Sequence, residues 1–183
     1  DELPETCHVC WDGASYDDNP ILYCEGCDVA VHQLCYGVKR VPTGDWFCRA
    51  CERDGKSTRK SAASKRCCLC SVEGGALKPA AGNRWAHLFC SNWLPETYIK
   101  DVKAMEPVGG IDDIDPDRFG LKCEVCGKRD EGACIQCDFG HCSVAYHPMC
   151  AFMSGEHRME IRSENADAPC EYRSFCAKHS KSR

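Results

Sequence analysis

The sequence predicts a small, irregular α+β fold held together by metal sites rather than by one large apolar core. Three observations predict it. Cysteine accounts for 19 of 183 residues, far above ordinary usage. Most of these cysteines come in pairs two residues apart, with histidines interleaved in a regular order. The chain also lacks a signal peptide, a long apolar run and a lipidation motif, so nothing in it points to an oxidising compartment. An odd cysteine count fits poorly with a full disulfide framework. Small units that cannot bury enough apolar surface need staples, and here the staples read as metal. The ends read as domain boundaries within a longer protein. A net charge of −5 and a pI near 5.8 argue against coating nucleic acid and suit a basic partner.

Zinc takes four Cys or His ligands in a tetrahedron, and one tight C-x2-C turn supplies two of them. The first such pairs are Cys7–Cys10, Cys24–Cys27, His32–Cys35 and Cys48–Cys51. In a cross-brace, alternate pairs share a metal. Cys7, Cys10, His32 and Cys35 then hold one zinc, and Cys24, Cys27, Cys48 and Cys51 hold the next. Cys67-x2-Cys70 with His87-x2-Cys90 makes a single C2HC site. In the last third, Cys123–Cys126, His147–Cys150 and Cys176-x2-His179 pair cleanly, while Cys134, Cys137 and Cys142 compete for the remaining pair. Four residues separate Cys27 from His32, and four separate Cys142 from His147. This internal repeat selects Cys137 and Cys142, leaving Cys134 a small buried thiol. Twenty ligands in five complete sets result, so five structural zinc ions are expected, none with an open position for catalysis. Cys68, Cys134 and Cys170 read as packed thiols, and His8, His141 and His157 as surface or loop residues.

These residues resemble a known module. The C4HC3 set with Trp46 in PTGDWFC resembles a PHD finger. RCCLC followed by GGALKP and RWAHLFCSNWLPE resembles the zinc knuckle of PZP modules. MEPVGGI leading to LKCEVC, GACIQC, YHPMCA and FCAKH resembles the extended, atypical second PHD finger. The resemblance covers about Leu3 to His179. It implies two cross-braced PHD-type fingers joined by a C2HC knuckle, as in BRPF-type, Jade-type and trithorax-type chromatin proteins. The boundaries expected are 1–52 for the first finger, 53–66 for a basic linker and 67–104 for the knuckle. An acidic connector, 105–118, and the extended finger, 119–183, follow. Ile21–Tyr23 is a strand candidate, with Gly132–Gln136 its counterpart in the second finger. Trp85, Phe89 and Trp93 read as core around the knuckle.

The resemblance further implies a nuclear chromatin reader of the histone H3 N-terminal tail. Asp17, Asp18, Asn19, Pro20, Ile21, Leu22, Tyr23, Glu25, Asp28, Pro42, Thr43, Gly44 and Trp46 are the candidate contacts. Pro20–Tyr23 would be the edge on which the tail adds a strand. The Pro42–Gly44 turn would receive the free amine. Ala30 stands two residues before the ligand histidine, where trimethyl-lysine readers carry an aromatic ring, and Ile21 is not aromatic either. Tyr16 alone is one wall and not a cage. Asp17, Asp18 and Asn19 can instead accept hydrogen bonds from an unmodified ammonium, so an unmethylated lysine at the fourth tail position is expected. Glu25 or Asp28 would pair the arginine at the second. Asp112, Asp113, Asp115 and Asp117 read as a solvated acidic loop. Arg53, Lys56, Arg59, Lys60, Lys65 and Arg66 give residues 52–66 a charge of +4, enough for auxiliary DNA contact through phosphates. Other subunits or domains of a chromatin-modifying complex are further expected partners, and no membrane is.

Rival classes fit less well. The sequence carries no GxGxxG, P-loop or HExxH motif, and the chain is read as no enzyme. A RING-type ubiquitin ligase uses a C3HC4 order, unlike the first unit. A structural or protein-interaction module without direct histone binding is the alternative.

Overall fold

The structure is a computed structural model and describes residues 5–55 and 65–181. It divides into two compact units, Asp1–Cys68 with Val72–Ile114, and Leu69–Ser71 with Asp115–Arg183. The fold is irregular α+β, with short elements carried on five Cys/His clusters.

In the first unit, β1 (Ile21–Tyr23) pairs antiparallel with β2 (Ala30–His32), which runs directly into α1 (Gln33–Tyr36). α1 ends on Gly37, whose φ of 73° is the left-handed turn that closes a helix C-terminus at least cost to glycine. α2 spans Arg49–Arg53, so the expected basic linker begins inside a helix. Most of that linker, including Lys56, Arg59 and Lys60, lies outside the described residues.

The knuckle is more than a single zinc turn. β3 (Leu77–Ala80) and β4 (Arg84–His87) form a hairpin that leads into α3 (Leu88–Trp93). β5 (Tyr98–Asp101) and β6 (Glu106–Gly109) complete a four-stranded sheet of order β4-β3-β6-β5. β6 lies between β3, to which it is parallel at Ala80 and Val108, and β5, to which it is antiparallel. The stretch expected to be a connector thus supplies an inner strand. Its Val108 is fully buried, as apolar residues of an inner strand must be, and Ile111 and Ile114 follow it into the core.

The second unit contains α4 (Asp117–Gly120), the short pair β7 (Ile135–Gln136) and β8 (Ala145–Tyr146), and α5 (Pro148–Ser154). A hairpin of β9 (Arg158–Arg162) and β10 (Glu171–Phe175) extends it. The strand expected over Gly132–Gln136 is confined to its last two residues. Before them, Gly132 is held against Leu69 and Cys70: a Cβ there would meet the Leu69 carbonyl at 2.7 Å.

One local motif occurs three times. A strand leads into a histidine, which is the last strand residue at His32 and His87 and the residue just after the strand at His147. That histidine is the extended N-cap of the next helix, at φ −67° for His32, −66° for His87 and −69° for His147. In each case the N–H after the first ligand cysteine donates to the carbonyl two residues before the histidine. The bonds are His8 to Ala30 (2.9 Å), Cys68 to Trp85 (2.8 Å) and Glu124 to Ala145 (2.8 Å). The knuckle therefore uses the same half-finger plan as both fingers.

Candidate metal centres and peptide-binding edge

Five groups of four side chains bring their donor atoms within 4.8 Å of one another. They are Cys7, Cys10, His32 and Cys35; Cys24, Cys27, Cys48 and Cys51; Cys67, Cys70, His87 and Cys90; Cys123, Cys126, His147 and Cys150; and Cys137, Cys142, Cys176 and His179. Bond lengths of about 2.3 Å to sulfur and about 2.0 Å to nitrogen put tetrahedral edges at about 3.8 Å between sulfurs and about 3.5 Å from sulfur to nitrogen. The Cys27–Cys48 sulfurs are 3.8 Å apart. Sulfur lies 3.5 Å from Nδ1 in the Cys126–His147 and Cys137–His179 pairs, and 3.7 Å in Cys90–His87. The donor sets fit zinc, and all four histidines present Nδ1.

The surrounding groups fit it too. Nε2 of His32 lies 2.7 Å from the Ala14 carbonyl, and that of His87 lies 2.6 Å from the Gly74 carbonyl. An Nε2–H donating there leaves Nδ1 with its lone pair for the metal. Backbone N–H groups point at the thiolates: His32 at Cys7 (3.2 Å), Cys48 at Cys24 (3.2 Å), His87 at Cys67 (3.2 Å) and Cys176 at Cys137 (3.3 Å). Five zinc ions are therefore the metal complement, each closed by four protein ligands.

The residues left outside the sets divide. Cys134 is buried, and burial pushes its thiol up to about 12. Cys170 is exposed. His141 is exposed as expected. His8 and His157 are not surface residues: His8 is buried and stacks on Trp11 at 5.0 Å. The His157 side chain is 2% exposed, fixed by Ser154 Oγ and Glu124 Oε2, both at 2.9 Å, and by the edge of Tyr146. His157 lies in no cysteine pattern, and His8 sits inside the Cys7–Cys10 turn without being one of its ligands, so ligand spacing gave no sign of how either packs. Phe89 and Trp93 are buried beside the knuckle, as expected of its core.

Among the expected tail contacts, β1 has the defining geometry. Among the described residues it pairs with β2 alone. The Pro20 carbonyl accepts from Gln33, and the Cys24 N–H donates to Val29. Antiparallel alternation then turns Leu22 toward β2 and leaves the polar groups of Ile21 and Tyr23 on the outer edge. Ser15 Oγ takes the Ile21 N–H at 3.1 Å. The edge offers the Ile21 carbonyl and both polar groups of Tyr23. The Leu22 side chain is buried and its role is core.

Asp17 and Asp18 are exposed in the turn before β1, with no hydrogen bond or ion pair among the described residues. Asn19 is committed locally: its Oδ1 accepts the Leu34 N–H at 2.9 Å. Asp12, missed in the sequence, stands in the same region. Its carboxylate accepts from the Ala14 N–H at 2.9 Å and from the Tyr16 hydroxyl at 2.8 Å, bonds that hold it below the usual carboxylate range. The turn-forming Asp-Gly pair was its only sequence signal. Tyr16 is 49% exposed, and Ala30 is buried. Glu25 is exposed, with its N–H on the Trp46 carbonyl at 2.9 Å. Asp28 adopts φ 63° in the zinc turn. Pro42, Thr43 and Gly44 are exposed just before half-buried Trp46.

The described linker cations are engaged. Arg53 donates to Asn83 at 2.8 Å, and Arg66 pairs with Glu73 at 2.7 Å. The Lys65 side chain is 14% exposed, pairs with Asp54, and lies 5.3 Å from the Trp85 ring centre. Asp112 pairs with Arg84 at 2.7 Å, while Asp115 accepts the Asp117 N–H at 3.0 Å. Asp113 is exposed.

Cross-braced Cys/His sets, a strand–His–helix repeat and four donors in every set define a structural zinc-finger protein of the double-finger type. The PHD-zinc-finger like domain family matches residues 65–179, and the PHD-finger family matches residues 18–52. The chain belongs to the PHD-zinc-finger like family and carries a PHD finger before that domain. It is 42% identical over 181 residues to histone H3-lysine(4) N-trimethyltransferase ATX1 of Arabidopsis thaliana, covering 96% of this chain and 16% of that protein. It is 41% identical over 179 residues to PHD finger protein rhinoceros of Drosophila melanogaster, covering 97% and 5%. With human E3 ubiquitin-protein ligase Jade-2 the identity is 40% over 176 residues, covering 95% and 21%. The crystal structure of the zebrafish PHF14 PZP module superposes with a TM-score of 0.73 at 29% identity, covering 95% of this chain and 87% of that one. The chain spans about a fifth or less of these curated relatives, which are a histone methyltransferase, a PHD-finger protein and a ubiquitin ligase.

Proposed function

We propose that the chain is a nuclear chromatin-binding module that reads the N-terminal tail of histone H3, with preference for a free N-terminus and an unmethylated lysine at the fourth position. It is an adaptor and not a catalyst; the methyltransferase and the ligase it resembles are proteins several times its length. The observation that carries this reading is the open outer edge of β1. Among the described residues the Ile21 carbonyl and both backbone polar groups of Tyr23 are unpaired there, next to exposed acidic residues. An extended peptide satisfies such an edge by adding a strand, and a basic tail suits its charge.

The lysine preference rests on chemistry at the two ends of β1. Asp17 and Asp18 are free carboxylates that can accept from a primary ammonium, and Asp12 stands near them, hydrogen-bonded to Tyr16. A trimethylammonium has no proton to give them. It would need several aromatic walls, and buried Ala30 supplies none. Glu25 is free to pair an arginine. The exposed Pro42–Gly44 turn is the candidate receptor for the amine. Auxiliary DNA contact falls to Lys56, Arg59 and Lys60, since the other three linker cations are already engaged.

Calorimetry of the zinc-loaded chain with tail peptides tests this. The unmodified peptide is expected to bind in the micromolar range, about −7 to −8 kcal/mol. Trimethylation of the fourth-position lysine, or N-acetylation, is expected to weaken it at least tenfold. Equal affinity for all three peptides would refute the specificity, and no binding of any would leave the chain a structural or protein-interaction module.

A further inference from the structure

We infer that Lys78, on β3 of the knuckle sheet, positions the Pro42–Trp46 turn of the first finger, so that the amine receptor is completed by a residue outside the finger that carries it. This rests on the tail-binding reading above.

The geometry is a continuous set of contacts within the first unit. The Lys78 side chain is 3% exposed. Its Nζ donates to the Ala104 carbonyl and to Glu106 Oε2, both at 2.9 Å, and lies 4.0 Å from the centre of the Tyr36 ring. Glu106 Oε1 and Oε2 also accept from Arg49 Nε, each at 3.0 Å. Tyr36 is held twice through its hydroxyl, which donates to the Leu77 carbonyl at 2.6 Å and accepts the Arg49 N–H at 3.1 Å. Trp46 packs edge-to-face with Tyr36, with ring centres 5.5 Å apart at 88°. The Trp46 carbonyl in turn takes the Glu25 N–H beside β1. An ammonium on an aromatic face, desolvated and hydrogen-bonded twice, is a stiff contact. It fixes the ring on which Trp46, and with it the turn, is seated.

Burial alone does not account for a charge here. A methionine would fill the same stem volume, and burying a lysine lowers its pKa against the pull of Glu106. What the ammonium adds is direction: three partners in fixed places, Ala104, Glu106 and the Tyr36 face.

The test uses the full zinc-loaded chain, wild type and Lys78→Met, with five zinc ions per chain verified in each. Two readouts are taken: the backbone amide signal of Glu25 with the indole signal of Trp46 in the free protein, and the affinity ratio of unmodified to N-acetylated tail peptide. Lys78→Met is expected to move both signals and to cut the ratio roughly fivefold or more, the scale of one hydrogen bond. Lys78→Arg is expected to recover part of it. If Lys78→Met fails to hold five zincs, Glu106→Gln gives the same readouts with the cation kept, and a smaller shift in the same direction is expected. Unmoved signals, or moved signals with an unchanged ratio, would overturn the inference. A wild-type chain that distinguishes neither peptide would count against the tail reading, and the seating of the turn would then be judged on the Glu25 and Trp46 signals alone.

Discussion

Tyr36 donates its hydroxyl proton to the Leu77 carbonyl at 2.6 Å, tying the helix that carries ligand Cys35 to the first strand of the knuckle sheet. The hydroxyl is buried and also accepts the Arg49 N–H. Tyr36→Phe strips a partner from two backbone groups, and leaving buried polar groups unpaired costs about 1–3 kcal/mol. The expected outcome is a chain that keeps five zincs but melts several degrees lower. Thermal unfolding at fixed free zinc checks it; an unchanged midpoint would show that water replaces the hydroxyl.

Gly37 stands at the same junction. A Cβ on it would lie 2.3 Å from the Ala104 carbonyl carbon, with φ already at 73°. Gly37→Ala adds left-handed strain to a backbone clash, together about 2–4 kcal/mol. Gly55→Ala, at the same φ with nothing within 4 Å of its Cβ, should cost only the strain. Comparing the two by denaturant unfolding separates contact from conformation.

Metal removal should unfold the chain rather than merely empty it. A structural zinc contributes on the order of 10 kcal/mol, and the elements between ligands are two to seven residues long, too short to stand alone. A chelator is expected to abolish amide dispersion, with five zincs released per chain. Cys90→Ser should lower the count to four. Retention of dispersed signals in the apo chain would contradict this.

The linker separates two roles for its cations. Neutralising Lys56, Arg59 and Lys60 is expected to weaken DNA binding and to flatten its salt slope by about 0.9 per lost phosphate contact. Lys65→Ala should instead lower stability, because Lys65 is paired with Asp54 and covers Trp85. Filter binding at several salt concentrations, with melting of each variant, distinguishes them.

Metal chemistry was the most legible part of the sequence, because ligand spacing is a local property and only Cys and His can supply it. The sorting of Cys134 from Cys137 and Cys142 came from an internal repeat, and the structure groups Cys137 and Cys142 with Cys176 and His179. The four-stranded sheet was not legible. Its inner strand β6 contains Pro107 and ends on Gly109, residues that read as a connector, and pairing with β3 is set by tertiary contact. For the same reason His157 passed for a loop residue: Glu124 is 33 positions away in sequence. At the peptide edge, strand β1 was legible from its apolar run, while the commitment of Asn19 to Leu34 and the role of Asp12 depend on how the preceding loop folds back.

The most direct measurement is amide hydrogen exchange at Tyr23 with and without the unmodified tail peptide. The N–H of Tyr23 faces the open edge of β1, so a tail that adds a strand should slow its exchange strongly while leaving Leu22, already facing β2, nearly unchanged. Slowed exchange at Tyr23 is the predicted result. Peptide binding that leaves Tyr23 exchanging at its free rate would contradict the account, because the tail would then be held somewhere other than this edge.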